Sequence, residues 1–398
     1  MIGKFYIIGM GMGASYMIER ASRAIEISST LVFTSKRLLE SFEERYSKKE
    51  DVEYFVSYKK SEIDGILNER ENGKNVSILV SGDVGFYSIA SQYRYSDAIF
   101  IPGISSYQAL SAHFHLSYAN FAFASIHGRD ERRAISTIRR NEFTFLLLSN
   151  EIESFADLLS LYGMSDLNCY VGCDIGGKNE SFSKCTAYQL SSLKNTYLKS
   201  IVIENPRYDS RVRSAIEDSF FLRERGIPMS KRAIRAMVLS ELDLKPTDVV
   251  WDIGCGSGSV TVEAGLSAYD GWIYAIDVKR EASELTQNNL IKAQVANASI
   301  AVGCAPDKLD DFEAPDAVFI GGSNSNMDSI INKALEKNEN VRIVLTAISL
   351  DTLSSALSLP YEWNIMNIQS SVSRKIGSHH MMSAENPIYI LSFGGNNE

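Results

Sequence analysis

The stretch Val249-Val250-Trp251-Asp252-Ile253-Gly254-Cys255-Gly256-Ser257-Gly258 decides the fold of half of this chain. Val249 to Ile253 is mostly β-branched and aromatic and reads as a buried strand. The three alternating glycines read as a tight turn that opens a helix from about Val260. A strand, a glycine-rich turn and a helix in that order begin a doubly wound α/β domain. Further strands are expected at Trp272 to Asp277, Ser299 to Val302, Ala317 to Ile320, Val341 to Thr346, Trp363 to Gln369 and Pro387 to Phe393. Helical stretches such as Glu281 to Ala296 and Asn326 to Lys337 separate them, which makes a seven-stranded sheet. Ligands of such sheets sit at the carboxyl ends of the strands, here at the glycine turn and at Asp277.

The turn itself narrows the ligand. A dinucleotide-binding turn runs Gly-x-Gly-x-x-Gly, and Gly254 and Gly256 fit that pattern. The third position, however, is Ser259, and the extra glycine falls at 258. Asp277 ends the second strand, where a carboxylate can accept both hydroxyls of a ribose; a plain helix N-cap is the alternative reading. Turn and acid together argue for an adenosyl cofactor without themselves excluding NAD.

A second start of the same kind lies at the N-terminus. Lys4 to Ile8 reads as a strand, Gly9-Met10-Gly11-Met12-Gly13-Ala14 as a turn, and Tyr16 to Ile27 as a helix. Gly9-x-Gly11-x-x-Ala14 satisfies a relaxed dinucleotide pattern, and Ser35-Lys36-Arg37 can be read as a 2′-phosphate site. An NADP-dependent oxidoreductase therefore stays open as an alternative. Three later strands, Val76 to Val80, Ala98 to Ile101 and Phe121 to Ile126, run into Ser81-Gly82-Asp83-Val84, Pro102-Gly103-Ile104-Ser105-Ser106 and His127-Gly128-Arg129. Ile201-Val202-Ile203 closes this half, and Asn205-Pro206-Arg207 breaks it. The expected division is a domain over 1–205, a charged linker over 206–225 and a second domain over 226–398.

Composition excludes several classes. A chain of 398 residues with 45% hydrophobic and 22% charged residues is globular and long enough for two cores. A formal net charge of -9 without a long basic run speaks against a nucleic-acid partner. The N-terminus lacks a leader pattern, and the longest apolar runs, such as Phe145 to Leu148, are too short to span a bilayer. A cytoplasmic protein without membrane association is expected. The five cysteines, at 169, 173, 185, 255 and 304, form no paired CxxC motif, and His379-His380 reads as a solvated pair in a polar loop. No metal site is expected.

The spacing Asp252-x-Gly254-x-Gly256-x-Gly258 resembles the large S-adenosylmethionine-binding Rossmann-like family. Gly226-Ile227-Pro228-Met229-Ser230-Lys231, the turn itself, Gly303-Cys304-Ala305-Pro306-Asp307, Phe319-Ile320-Gly321-Gly322-Ser323, Ser373-Arg374-Lys375 and Asn386-Pro387-Ile388 follow in order. Together they resemble the decarboxylating precorrin methyltransferase domain of cobalamin biosynthesis. Cys304 stands where that family usually has an acid, and Ser230 where it more often has Thr. The first half resembles the tetrapyrrole methylase family, with two α/β lobes, although Val84 replaces a usual proline.

The resemblance implies one S-adenosylmethionine per domain. In the second half it assigns cofactor contacts to Ser230, Asp252, Gly254, Gly256, Gly258, Asp277 and Ala305. In the first half it assigns the cofactor to Gly82, Asp83, Ser105 and Ser106, and places Gly9, Gly11 and Gly13 on the substrate side. It further implies methylation of a tetrapyrrole at C5 by the first domain. The second domain would methylate C15 and release carbon dioxide from the C12 acetate. Arg129, Lys231 and Arg374, with Arg232 and Arg235 as further candidates, would clamp substrate carboxylates. No catalytic side chain is assigned, since methyl transfer from a sulfonium is an in-line displacement that positioning can accelerate. Self-association is expected from both families. A non-catalytic tetrapyrrole-binding relic is the remaining alternative, suggested by Cys304 and Val84.

Overall fold

The computed structural model describes residues 2–125, 130–148, 152–193, 199–211, 214–323 and 326–395. Contacts divide the chain into two compact units. Met1–Gly128, Glu142–Asp157 and Ser165–Pro206 form the first; Arg129–Asn141, Leu158–Met164 and Arg207–Glu398 form the second.

The first unit holds two sheets, as the two-lobed expectation requires. Strands β1 (Phe5–Gly9), β2 (Thr30–Phe33), β3 (Glu53–Val56), β4 (Val76–Val80) and β5 (Ile99–Ile101) pair in parallel in the order β3-β2-β4-β1-β5. Side chains alternate across a strand, and β1 is apolar at every position before its glycine. Phe5 and Ile7 therefore join one buried cluster, and Tyr6 and Ile8 join another on the opposite face. Both faces are covered, which is the usual condition of a parallel sheet. The second sheet combines β6 (Ala122–Ser125), β7 (Phe143–Leu148), β8 (Asn168–Cys173), β9 (Ser181–Thr186) and β10 (Lys199–Glu204) in the order β6-β7-β10-β8-β9. Only β6 and β7 run parallel. The expected helix at Tyr16 to Ile27 is shorter: a single 3-10 turn at Ala14–Tyr16 precedes a helix at Glu19–Glu26.

The second unit contains all seven expected strands in one sheet. They are β11 (Val249–Ile253), β12 (Trp272–Asp277), β13 (Ala298–Val302), β14 (Ala317–Ile320), β15 (Arg342–Ala347), β16 (Asn364–Ile368) and, after a hairpin of β17 (Ser371–Ile376) and β18 (His379–Ala384), β19 (Ile388–Phe393). Their order is β13-β12-β11-β14-β15-β19-β16, parallel except for β19. The chain winds outward from β11 to β13 and then returns to β14 on the other side. That reversal opens a crevice at the carboxyl ends of β11 and β14.

The β17–β18 hairpin is a finding, since the sequence pattern there suggests only a polar loop. Every position of β17 is exposed, as are five of the six positions of β18, His379 and His380 among them. Ala347, Tyr389 and Asn367 share one register row, so the hairpin leaves the sheet at the carboxyl end of β15. The stretch 206–225 carries buried structure. Phe221 belongs to the core of the second unit, and the Ala215 and Ile216 amides donate to Glu263 at 2.8 and 3.1 Å.

Candidate functional site

β11 ends in the glycine turn, whose shape is set by close backbone approach. Gly254 has φ +77°, and a Cβ there would lie 2.8 Å from the Gly322 amide nitrogen. Gly258 has φ +73°, and a Cβ there would come within 2.8 Å of the Thr286 backbone. Both positions demand glycine on conformation and on space. The Gly254 and Cys255 amides donate to the Ile276 carbonyl at 2.8 and 3.1 Å. One step further the Asp277 carboxylate accepts from the Gly256 amide and from the Lys279 amide, both at 3.0 Å. Turn and acid are thus one hydrogen-bonded unit.

Beside it lies a cavity of about 180 Å³, with Pro228, Gly254, Asp277, Cys304, Ala305 and Gly322 in its walls. Half-buried Cys304 donates to the Ala305 carbonyl at 3.3 Å. Asn326 donates to that carbonyl at 3.0 Å and to the Cys304 sulfur at 3.5 Å. Below the turn, Asp252 is 1% exposed. One of its oxygens accepts from the Thr261 hydroxyl at 2.5 Å, and the other has no partner among the described residues. Burial raises the Asp252 carboxyl to about 7, with Asp277 adding to the rise and the Thr261 hydrogen bond opposing it.

Two helices brace the turn from behind. From Arg280–Lys292, the Thr286 hydroxyl donates to the Gly256 carbonyl at 3.1 Å and the Asn289 amide to the Ser257 carbonyl at 2.8 Å. From Arg232–Leu242, Arg235 is fully buried and donates from Nε to Glu263 at 2.8 Å and from Nη1 to Asp218 at 2.8 Å. Its guanidinium also donates to the carbonyls of Ser230 and Ile216. Arg235 is therefore no clamp for a substrate carboxylate, because it is fully buried and four of its five N–H groups are taken up inside the protein. Arg232 is paired with Glu217 at the surface.

In the first unit, β1, β4 and β5 lie side by side and end in three touching turns. A Cβ at Gly9 would be 2.5 Å from the Gly103 nitrogen and 2.7 Å from the Gly82 oxygen. Gly11 and Gly82 exchange backbone hydrogen bonds of 3.2 and 2.7 Å. Asp83 ties the turns together, accepting from the Gly103 amide at 2.9 Å and the Gly85 amide at 2.8 Å. Ser105 and Ser106 are buried at the start of the helix Ser106–Phe114, with the Ser105 amide donating to Gln108 at 2.8 Å. Ser35 and Arg37 serve the chain itself: the Ser35 hydroxyl accepts from the Leu38 amide at 3.4 Å, and Arg37 donates to the Ser81 hydroxyl at 3.0 Å.

The second half of the chain, residues 221–393, matches the family described as the precorrin methyltransferase domain, and residues 4–191 match the tetrapyrrole (corrin/porphyrin) methylases. A protein of Methanococcus maripaludis named probable cobalt-precorrin-6B C(15)-methyltransferase (decarboxylating) is 39% identical over 181 residues, 44% of this chain and 97% of that protein. The chain belongs to the precorrin methyltransferase family. A Saccharolobus solfataricus protein of the same name is 39% identical over 188 residues, 44% of this chain and 94% of its own length. A crystal structure titled precorrin-6y C5,15-methyltransferase, from Geobacter metallireducens, is 32% identical, with a TM-score of 0.43 over 46% of this chain and 97% of that one.

Within the precorrin methyltransferase match, the cavity gathers Gly254, Asp277 and Ala305 of the residues expected at a cofactor. Gly256 and Gly258 shape the turn from outside that wall, and Asp252 supports it from below. Ser230 offers its carbonyl to Arg235, and Lys231 stands half-buried just ahead of the helix Arg232–Leu242. Arg374 is exposed on the hairpin. Within the tetrapyrrole methylase match, Gly9, Gly11, Gly82 and Asp83 come together. Gly13 packs apart from them, where a Cβ would meet the Ser41 hydroxyl at 2.8 Å. Arg129 and His127 lie outside the described residues. Sequence reasoning missed Thr286, Asn289 and Glu263. Thr286 and Asn289 stand three apart on one helix face, but Gln287 and Asn288 lie between them, so the sequence pattern does not single the pair out.

Proposed function

We propose that this chain is an S-adenosylmethionine-dependent methyltransferase that acts on a precorrin in cobalamin biosynthesis. It methylates C5 and C15 and removes the carboxyl of the C12 acetate as carbon dioxide. The observation that carries this reading is the glycine turn tied to Asp277 beside a cavity, inside a span that matches precorrin methyltransferases. The residues fit an adenosyl cofactor. Gly254 keeps the cavity wall free of side chain, and the Asp277 oxygens retain lone pairs for ribose hydroxyls beyond the two backbone amides they accept. When bound, the cofactor supplies an electrophilic methyl group.

The chain's own residues then hold and orient. Asp277 fixes the ribose and Ala305 bounds the cofactor cavity. Cys304, a weaker acceptor than an acid, leaves adenine recognition to neighbouring backbone. The first unit carries the C5 step at the Gly82–Asp83 and Ser105–Ser106 turns, and the second carries the C15 step and decarboxylation. Lys231 and Arg374 meet the carboxylates of the macrocycle. The hairpin around Arg374 also holds Lys375, His379 and His380 and lacks any Asp or Glu between 371 and 384, in a chain of net charge -9. We further propose one cofactor per unit, self-association and a cytoplasmic setting.

Calorimetric titration with S-adenosylhomocysteine tests the cofactor count. Two sites per chain are expected, and a single site would remove one unit from the reaction. Incubation with labelled cofactor and a precorrin then reads methyl transfer and carbon dioxide directly. A chain that transfers no methyl group refutes the proposal.

A further inference from the structure

A second cavity, of about 410 Å³, adjoins the first at the carboxyl ends of β14 and β15. The two share the wall formed by Gly321, Gly322 and Ser323. Neither glycine there has positive φ, and among the described residues a Cβ at Gly322 would meet nothing within 4 Å. Conformation and packing therefore leave position 322 free to carry a side chain. What glycine preserves is the open space between the cavities. Ser323, Met327, Leu345, Thr346, Ser349 and Thr352 line the second cavity, and none of its described lining residues is ionisable. Next to it the chain turns outward, with Ile348 68% and Leu350 75% exposed, an apolar rim suited to the face of a flat ring system.

We infer that this uncharged cavity receives the side-chain carboxylate that leaves as carbon dioxide, while the ring lies across its mouth toward the shared glycine wall. The inference rests on the precorrin reading above and assigns its decarboxylation step to named residues. The chemistry favours a neutral lining. An ion pair with Lys or Arg would stabilise the anion that has to be lost, whereas hydroxyl donors hold it more weakly and an apolar wall withholds water. In the step, the bond between the methylene carbon and the carboxylate breaks and its electron pair passes into the conjugated macrocycle. Carbon dioxide departs, and a proton from water adds to the methylene carbon, leaving a methyl group. Charge and atoms balance without an oxidant or reductant.

Ser349 supplies the test, because it caps the helix Leu350–Leu357 by accepting from the Thr352 amide at 3.1 Å. Asp and Asn both preserve such a cap, so Ser349→Asp and Ser349→Asn keep the local fold and differ in charge. In the full chain with carboxyl-labelled precorrin, Ser349→Asp should lower carbon dioxide release by roughly tenfold or more. Ser349→Asn, which keeps the lining uncharged, should release at least about threefold more carbon dioxide than Ser349→Asp, and both variants should bind S-adenosylhomocysteine as the unmodified chain does. Unchanged release in Ser349→Asp, or equal loss in the two variants, overturns the assignment while leaving the methyltransferase reading intact. An unmodified chain that transfers methyl groups but releases no carbon dioxide also overturns it. One that does neither overturns the underlying reading as well.

Discussion

Asp252 and Asp277 are the same residue type near the ends of adjacent strands, and their surroundings make them opposites. Asp277 is half-exposed and accepts two amides; Asp252 is buried, with one oxygen that has no partner among the described residues. The Asp252 carboxyl lies at about 7 against an ordinary 3.8, so the folded state binds that proton more tightly than the unfolded chain. Its stabilising contribution is fully present below the unfolded value and is lost as pH rises through about 7. At about 1.4 kcal/mol for each pH decade between the two values, the loss is on the order of 4 kcal/mol. Urea unfolding of the second unit should therefore weaken between pH 5 and pH 8, and Asp252→Asn should flatten that slope. A slope identical in the variant would refute the protonated carboxyl. Asp277→Asn sets an NH2 group against one of the two backbone amides that the carboxylate accepts, so it should cost about 1–3 kcal/mol of stability and weaken S-adenosylhomocysteine binding by about tenfold, near 1.4 kcal/mol, as read by calorimetry.

At the scale of elements, the glycine turn is held by what packs behind it. Gly258→Ala should cost about 1–3 kcal/mol, since it combines a positive φ with a clash against the Thr286 backbone. Trimming Thr286 to Ser cannot rescue it, because the obstructing atoms include the backbone Cα. Arg235→Met leaves the buried Glu263 without its cation and should cost about 3–5 kcal/mol in denaturant titration. The same variant frees the Ser230 carbonyl and loosens the 215–231 segment, so cofactor affinity should fall with stability. A loss of affinity at unchanged stability would mean that Arg235 faces ligand after all.

At the scale of the whole molecule, the match to tetrapyrrole methylases and the compact units do not share a boundary. Arg129–Asn141 falls within the first match yet belongs to the second unit. There Arg132 donates to the Ala298 carbonyl at 2.8 Å and lies 4.6 Å from the centre of the Trp272 ring, and Arg133 donates to the Asp270 carbonyl at 2.8 Å. A fragment of residues 207–398 would lose this cover over Trp272. Its thermal midpoint should lie below that of the second unit in the full chain, by roughly 5 °C or more, as followed by calorimetry. Equal midpoints would show that the segment adds nothing to the unit.

What the sequence by itself determined is local: the near-continuous apolar runs of β1 and β11, the glycine turns that follow them, and an acid at the end of β12. These follow from steric rules that act within a few residues, so they survive without knowledge of neighbours. Tertiary structure alone decided that Arg235 points inward to Glu263 rather than outward to a substrate. It also decided that Asp252 supports while Asp277 faces the cavity, and that residues 371–384 stand off the sheet as a hairpin. Burial, charge state and shared cavity walls depend on which distant segments meet, and no spacing within the chain encodes that meeting in readable form.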